Sequence, residues 1–151
     1  MDKKEYDSIL ASAMAAEVQA QHLYADLAAK AKHAYLKSMF EGFVLEEQQH
    51  EKILNSFRAK GTGHIHFKGA PDFKVSETVK RPQVSANMKP ADVIALAMKD
   101  EEDAMNHYLS LAQLCVDPEQ KNVFQELAKM EREHKHKMEN AFVDIGYPEV
   151  W

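Results

Sequence analysis

Residues Glu47-Gln48-Gln49-His50 form a pattern that returns 84 residues later as Glu131-Arg132-Glu133-His134. Sliding the sequence against itself by the same offset needs no gap and aligns further identical residues. Outside the two patterns, these include the pairs Glu17 and Glu101, Tyr24 and Tyr108, and Phe40 and Phe124. Identical Glu, Tyr and His residues at one fixed spacing indicate an internal repeat. The sequence therefore predicts two copies of one structural motif.

Gly and Pro residues, which interrupt helices, are few and unevenly placed. The 151 residues include only 5 Gly and 5 Pro, and six of these ten lie between residues 61 and 90. The stretches on either side are each too long for one helix of a compact domain, so each is predicted to fold back as a helical hairpin. Asp117 and Pro118 have the residue types preferred at the N-cap and at the first position of a helix, and they mark one fold-back.

We therefore predict an all-α fold in which a long crossover joins two antiparallel hairpins. The predicted helices span about residues 3–32, 34–60, 89–115 and 118–144, and the crossover spans about residues 61–88. A length of 151 residues suits a single compact domain, predicted to cover residues 1–151. Apolar residues recur along each predicted helix at steps of three and four, which is the spacing of a bundle core.

Each apolar seam carries a carboxylate near the middle of its helix, and two seams also carry a histidine. Mid-helix residues of antiparallel helices lie at one depth, so these side chains are predicted to converge in an otherwise apolar core. The predicted cluster consists of Glu17, Glu47, His50, Glu101, Glu131 and His134. Burying unpaired carboxylates costs several kcal/mol each, and no Lys or Arg lies on the seams. Two divalent cations would neutralise the four carboxylates, with the imidazoles as neutral ligands.

The spacing within the repeated pattern supports a metal site. A glutamate and a histidine three residues apart lie on one helical face and can reach one ion together. Two such pairs, plus a single Glu from each of the other two helices, are the established ligand pattern of ferritin-like di-iron and di-manganese bundles. On these residues the sequence resembles the ferritin-like di-iron carboxylate proteins, and among them the rubrerythrins, from about residue 5 to residue 144.

The resemblance to rubrerythrins implies a non-haem di-iron centre in a ferritin-like four-helix bundle, where hydrogen peroxide or, less favoured, dioxygen is reduced. The implied cofactor is two iron ions, and the other metals for this site are manganese, a mixed pair, or zinc in the isolated protein. The implied iron ligands are Glu17, Glu47, His50, Glu101, Glu131 and His134. Tyr24 and Tyr108 resemble the family's tyrosines that hydrogen-bond to ligand carboxylates. Gln21, one turn after Glu17, either lines the site or lies outside it.

Two departures from the rubrerythrin pattern bear on function. Cys115 is the only cysteine, so this chain holds no four-thiolate rubredoxin-type iron site, and electrons are expected from an external donor protein. Ala104 stands where rubrerythrins have an additional glutamate that takes part in the redox-linked movement of one iron. Without it, the six ligands resemble the simpler bacterioferritin-type centre. A ferroxidase or iron-storage protein therefore stays open as the alternative, as does a bundle whose metal only stabilises the fold.

Charge and composition narrow the expected partners. The net charge is −5, and no stretch gathers enough Lys or Arg to bind nucleic acid or a membrane surface. No run of 18 apolar residues occurs, so a cytoplasmic location is expected. The expected partners are a small-molecule oxidant, the electron donor and, from the resemblance, a second copy of the chain in a homodimer. The charged run from Lys129 to Lys137 is interpreted as mostly the solvent-exposed face of the last helix.

Two segments allow more than one interpretation. His64 and His66 alternate as in an extended strand, and they either hold a surface metal or belong to a plain connection. The last six residues, 146–151, are apolar enough to dock either on their own bundle or on a neighbouring subunit. Cys115 is expected to be a buried, inert thiol.

Overall fold

Helices dominate the computed structural model, which describes residues 1–61, 67, 69–72, 74–83 and 88–146. They are α1 (Lys3–Lys30), α2 (Ala34–Lys60), α3 (Val75–Thr78), α4 (Pro90–Leu114) and α5 (Pro118–Gly146). Within those ranges there is no β-strand, which confirms the predicted all-α class. The long helices begin and end within one or two residues of their predicted bounds. His64, His66 and residues 147–151 lie outside the described residues, so the interpretations of both segments stay open.

A side-chain cap begins α5 where the sequence predicts it, and another begins α1. Asp2 Oδ1 accepts a hydrogen bond of 2.8 Å from the N–H of Glu5 at the start of α1. Asp117 Oδ1 accepts from the N–H groups of Glu119 and Gln120 at 2.8 and 3.3 Å, directly before Pro118 opens α5. Such a cap satisfies N–H groups that have no partner inside the helix, and it contributes about 1 kcal/mol. The second fold-back is therefore encoded locally.

The described part of the predicted irregular crossover includes the helical turn α3, which the sequence did not indicate. Lys74 precedes it with φ of 55°, in the left-handed region. An isolated turn of four residues is too short to be stable on its own. Its buried Ser76 is held by Glu139 and Glu102, which lie 63 and 26 residues away along the chain. Tertiary hydrogen bonds, rather than local propensity, therefore form α3.

The chain divides into two compact units. Unit 1 comprises Met1–Ile65 and Cys115–Val123, and unit 2 comprises His66–Leu114 and Phe124–Trp151. In unit 1, α1 packs antiparallel to α2. Tyr24 lies against Phe43 with ring centroids 5.3 Å apart, whereas Gln21, earlier in α1, hydrogen-bonds to Glu51, later in α2. Its buried apolar side chains include Leu10, Tyr24, Phe40, Phe43, Leu54 and Phe57. Cys115 is buried as expected, and burial raises the pKa of its thiol.

In unit 2, α4 runs antiparallel to α5. Tyr108 stacks on Phe124, while Glu101, earlier in α4, contacts His134, later in α5. The buried apolar side chains of this unit include Ile94, Met98, Tyr108, Phe124, Leu127 and Met138. Among the described residues, no helix is both long enough and apolar enough to cross a bilayer.

An aromatic pair shows that the sequence repeat is also a structural repeat. In unit 1 the rings of Tyr24 and Phe40 stack with centroids 6.5 Å apart and an interplanar angle of 15°. In unit 2 the rings of Tyr108 and Phe124, each 84 residues later, stack at 6.3 Å and 20°. Each hairpin therefore builds the same core contact from the same residue types.

Tyr6, near the start of α1, provides a test of the packing in unit 1. Burial raises the pKa of its phenol to about 12, and the charges of Glu119 and Asp7 act in the same direction. Because the fold favours the neutral phenol, its contribution to stability is complete below pH about 10 and is lost between pH about 10 and 12. Denaturant unfolding across this pH range is expected to show the loss in the wild type and a smaller one in Tyr6→Phe. Tyr35→Phe, which alters an exposed ring, is the control, and an unchanged alkaline loss in Tyr6→Phe would contradict the assignment.

Candidate metal centre

Unit 1 brings together three of the six predicted ligands. We call Glu17, Glu47 and His50 group 1; α1 carries the first and α2 carries the other two. His50 Nδ1 lies 3.6 Å from Glu17 Oε2 and 3.7 Å from Glu47 Oε2. All three residues are buried, and Glu47 is only 1% exposed. The Glu-x-x-His spacing places Glu47 and His50 on one face of α2, which is the face turned toward α1 in this hairpin.

Unit 2 brings together the other three in the same way. We call Glu101, Glu131 and His134 group 2; α4 carries the first and α5 carries the other two. His134 Nδ1 lies 3.1 Å from Glu101 Oε1. Each of the three offers one ligand atom, and these atoms all lie within 4.8 Å of one another. All three residues are buried. The contact between Glu101 and His134 corresponds to the contact between Glu17 and His50 in the other hairpin.

The donors in the two groups suit iron or manganese. Each group offers two carboxylates and one imidazole, so one divalent cation per group would balance the charge of its carboxylates. Carboxylate oxygen and imidazole nitrogen are donors that both metals accept. Leaving such carboxylates buried and charged without a cation is costly. The residues of each group therefore fit a metal ion, and two single glutamates plus two Glu-x-x-His pairs are the ligand set of ferritin-like di-metal sites.

Gln21 lies beside group 1, and this decides between its two predicted positions. Its Nε2 donates to Glu51 Oε2 at 2.7 Å and to the backbone carbonyl of Glu47 at 3.3 Å. Gln21 therefore hydrogen-bonds to the backbone of the candidate ligand Glu47 rather than to its carboxylate. At the matching positions of the second half stand Met105 and Lys135, so the two groups have different surroundings.

Tyr24 and Tyr108 are both buried, at 3% and 5% exposure. Their rings pack on Phe40 and Phe124 in the stacked pairs described above. The tyrosines lie seven residues, or two helical turns, beyond Glu17 and Glu101 on the same helices. The hydrogen bonds from their hydroxyls to ligand carboxylates stay a prediction.

The interpretation of residues 129–137 as a mostly exposed face is wrong at Lys135. Its side chain is 1% exposed, and its Nζ lies 2.8 Å from Asp72 Oδ1 and 3.1 Å from Glu77 Oε1. Glu139, one turn later, is buried as well, with Oε2 at 3.5 Å from the same ammonium. Sequence reasoning missed this residue because two of its partners lie in the crossover. The sequence signal for its burial was its position, one helical turn after Glu131 and next to His134.

The charges around Lys135 shift one another's pKa values. Burial alone would lower the pKa of Lys135, but its hydrogen bonds to Asp72 and Glu77 and the charge of Glu139 raise it. Burial alone would raise the pKa of Asp72, but hydrogen bonds from Lys135 and from the N–H of Lys74 hold it below its ordinary value. The contribution of Asp72 to stability is therefore present above its ordinary pKa and is lost as the pH falls through the lowered one.

Comparison with known proteins identifies the family to which these groups belong. The family model described as Rubrerythrin matches residues 8–142, which include all six candidate ligands. The chain belongs to the rubrerythrin family. This assignment confirms the resemblance and the ferritin-like fold class that the sequence predicted. No curated protein matches the chain.

A solved structure is similar to this chain in fold and in sequence. A hypothetical protein from Pyrococcus furiosus is 26% identical to this chain, with a TM-score of 0.63. The similarity covers 94% of this chain and 91% of the other. Rubrerythrin-family membership and the buried carboxylate and histidine groups are consistent with metal binding, and the assignment of each ligand stays a prediction.

Proposed function

We propose that this chain is a non-haem di-iron oxidoreductase that reduces hydrogen peroxide, or less effectively dioxygen, with electrons from an external donor protein. The observation that carries the proposal is the duplicated buried group of two glutamates and one histidine in a rubrerythrin-family chain. A single group of this kind is also compatible with buried polar side chains that hydrogen-bond to one another without a metal. Two copies at the same offset, in matching hairpins, favour metal binding by each group.

The proposed ligands of the two iron ions are the residues of groups 1 and 2. When bound, iron supplies the two electrons and the Lewis acidity for converting one peroxide, with two protons, to two molecules of water. The four carboxylates neutralise the ions, and the two histidines bind as neutral imidazoles. The stacked pairs of Tyr24 with Phe40 and of Tyr108 with Phe124 would form apolar walls that limit the access of water. The tyrosine hydroxyls would orient ligand carboxylates.

The expected setting of the reaction is part of the proposal. We place the protein in the cytoplasm as a homodimer that receives electrons from a separate redox protein. Neither nucleic acid nor a membrane is a proposed partner. These statements rest on composition, charge and the family resemblance.

Iron handling is the second candidate function, and Ala104 is the residue that favours it. It is half-buried on α4, three residues after Glu101, where a rubrerythrin-type peroxidase would have a further carboxylate. With six ligands alone, the centre would resemble that of bacterioferritin, and the chain would oxidise and pass on iron rather than detoxify peroxide. Manganese or a mixed pair of metals could be accommodated by the same donors.

A single-turnover experiment separates the two functions. Protein purified without oxygen, loaded with Fe²⁺ and mixed with one equivalent of peroxide, is expected to oxidise its iron at least about tenfold faster than protein mixed with air-saturated buffer. Stopped-flow absorbance follows the oxidation, and metal-free protein is the control. Oxidation by peroxide no faster than by air would contradict the peroxidase proposal. A large assembly in gel filtration that retains far more than two iron ions per chain would instead establish storage.

A further inference from the structure

The residues that directly follow two candidate ligands of group 2 face the crossover. Glu102 follows Glu101 on α4, and Lys135 follows His134 on α5. Successive side chains on a helix point about 100° apart, so the neighbour of a ligand faces a different side. Both neighbours bind one short stretch of the crossover, whose contacting residues are Asp72, Ser76 and Glu77. We call these three residues the crossover clamp.

On α5, the clamp binds through a buried ammonium. Lys135 Nζ is 2.8 Å from Asp72 Oδ1 and 3.1 Å from Glu77 Oε1, and its side chain is almost completely buried. Glu139 Oε2, on the same helix, accepts from the N–H of Ser76 at 2.6 Å and lies 3.5 Å from Lys135 Nζ. A buried ion pair adds little net stability, yet it is costly to break and is specific in geometry. The clamp is therefore suited to holding α5 at one register.

On α4, the same clamp binds through one hydroxyl. Ser76 is fully buried, and its Oγ donates to Glu102 Oε2 at 2.6 Å and lies 3.4 Å from the carbonyl oxygen of Met98. Lys99 Nζ approaches the same Glu102 oxygen at 3.2 Å. Because the N–H of Ser76 binds Glu139 on α5, this one residue connects the two helices that carry Glu101 and His134.

We infer that Ser76 and Lys135 are positioning residues for group 2. By attaching to Glu102 and to Glu139, the clamp sets the register of α4 against α5, and with it the 3.1 Å approach of Glu101 to His134. The inference rests on the proposed metal-binding function of group 2. Residues outside the ligand set that orient ligands typically change metal affinity about 10- to 100-fold when they are removed.

Among the residues that the structure describes, the matching position of the other half makes no such contact with the crossover. Glu51 stands where the second half has Lys135, and it accepts from Gln21 inside the hairpin of α1 and α2. Its charge is opposite to that of Lys135, and its partner lies on the neighbouring helix rather than in the crossover. In the part of the chain that the structure describes, the clamp therefore serves group 2, and its loss should affect the two metal ions unequally.

Cobalt binding tests the inference without measuring turnover. Co²⁺ is titrated into metal-free wild type, Lys135→Met and Ser76→Ala, with calorimetry for affinity and visible absorption for coordination. We expect one of two Co²⁺ ions to bind about 10- to 100-fold more weakly in Lys135→Met, with an altered absorption band, and the other to bind as in wild type. Ser76→Ala is expected to weaken the same ion. Lys135→Arg retains the charge and should recover most of the affinity.

A second crossover contact provides the matched control. Arg81 pairs with Asp100 and Asp103 on α4, but these three side chains are exposed. Arg81→Met therefore removes two ion pairs between crossover and helix without changing the clamp, and this variant should bind both metal ions normally. Unchanged affinities and spectra in folded Lys135→Met, or equal weakening of both ions, would overturn the inference. If Lys135→Met fails to fold, the Co²⁺ affinities and spectra of Ser76→Ala test the inference in the same way. Wild type that binds no Co²⁺ and no Fe²⁺ would instead refute the proposed function.

Discussion

Replacing Glu47 and Glu131 together by Gln is expected to reduce bound iron from the proposed two ions per chain to about 0.2, which is roughly a tenfold loss. Each substitution removes the carboxylate of a Glu-x-x-His pair and leaves a neutral amide of nearly the same volume. Both glutamates are almost completely buried, at 1% and 2% exposure, so water cannot easily replace the lost ligand. The single variants should each retain no more than about one ion, because one complete group remains in each.

The measurement is iron per chain after anaerobic loading and desalting. Glu41→Gln is the matched control, since it makes the same chemical change at an exposed position of α2. It should bind iron like the wild type. A double variant that still retains two ions per chain would show that the Glu-x-x-His pairs are not ligands and would refute the assignment of both groups.

Removing the metal is expected to lower the melting temperature by about 10 °C. A ligand present at about 1,000 times its dissociation constant stabilises a protein by about 4 kcal/mol. For a chain of this size, each kcal/mol shifts the melting temperature by about 2–4 °C. The physical reason is the charge in groups 1 and 2, where buried carboxylates repel one another unless a cation lies between them.

The same charges predict that Glu47→Gln has opposite effects on the stability of the metal-free and the metal-loaded protein. In metal-free protein the substitution should raise the melting temperature, because it removes a buried negative charge from group 1. In metal-loaded protein the substitution should lower the melting temperature, because it removes a ligand. Thermal unfolding followed by circular dichroism, with chelator or with added metal, measures both. If Glu47→Gln destabilises both forms equally, Glu47 is a hydrogen-bonded structural residue rather than a ligand.

Much of the candidate centre is predictable because its information is local and duplicated. The capping residues Asp2 and Asp117 set where α1 and α5 begin through hydrogen bonds to N–H groups two or three residues away. The Glu-x-x-His spacing places each pair on one helical face wherever the helix packs. The constant offset then shows that Glu17 and Glu101 have equivalent positions, and the stacked pairs of Tyr24 and Tyr108 confirm that the two hairpins are alike.

Other features depend on contacts between residues far apart in the sequence. Lys135 belongs to a charged run that favours exposure, yet it is buried because Asp72, 63 residues earlier, supplies a carboxylate in the crossover. The turn α3 has no local signal strong enough to form it, and Ser76 is held there by carboxylates of α4 and α5. Neither could be inferred from periodicity, since the path of the crossover is set by tertiary packing.

The sequence by itself determined the all-α class, the four long helices, the repeat and the identity of the candidate ligands, because helix periodicity, caps and residue spacing act over a few positions. Only the tertiary structure decided which side chains of the crossover meet the ligand-bearing helices of unit 2. It thereby showed that the repeat is unequal, with Glu51 bound inside one hairpin and Lys135 bound to the crossover. A charged side chain can be buried only where oppositely charged partners lie close to it, and the fold brings those partners together.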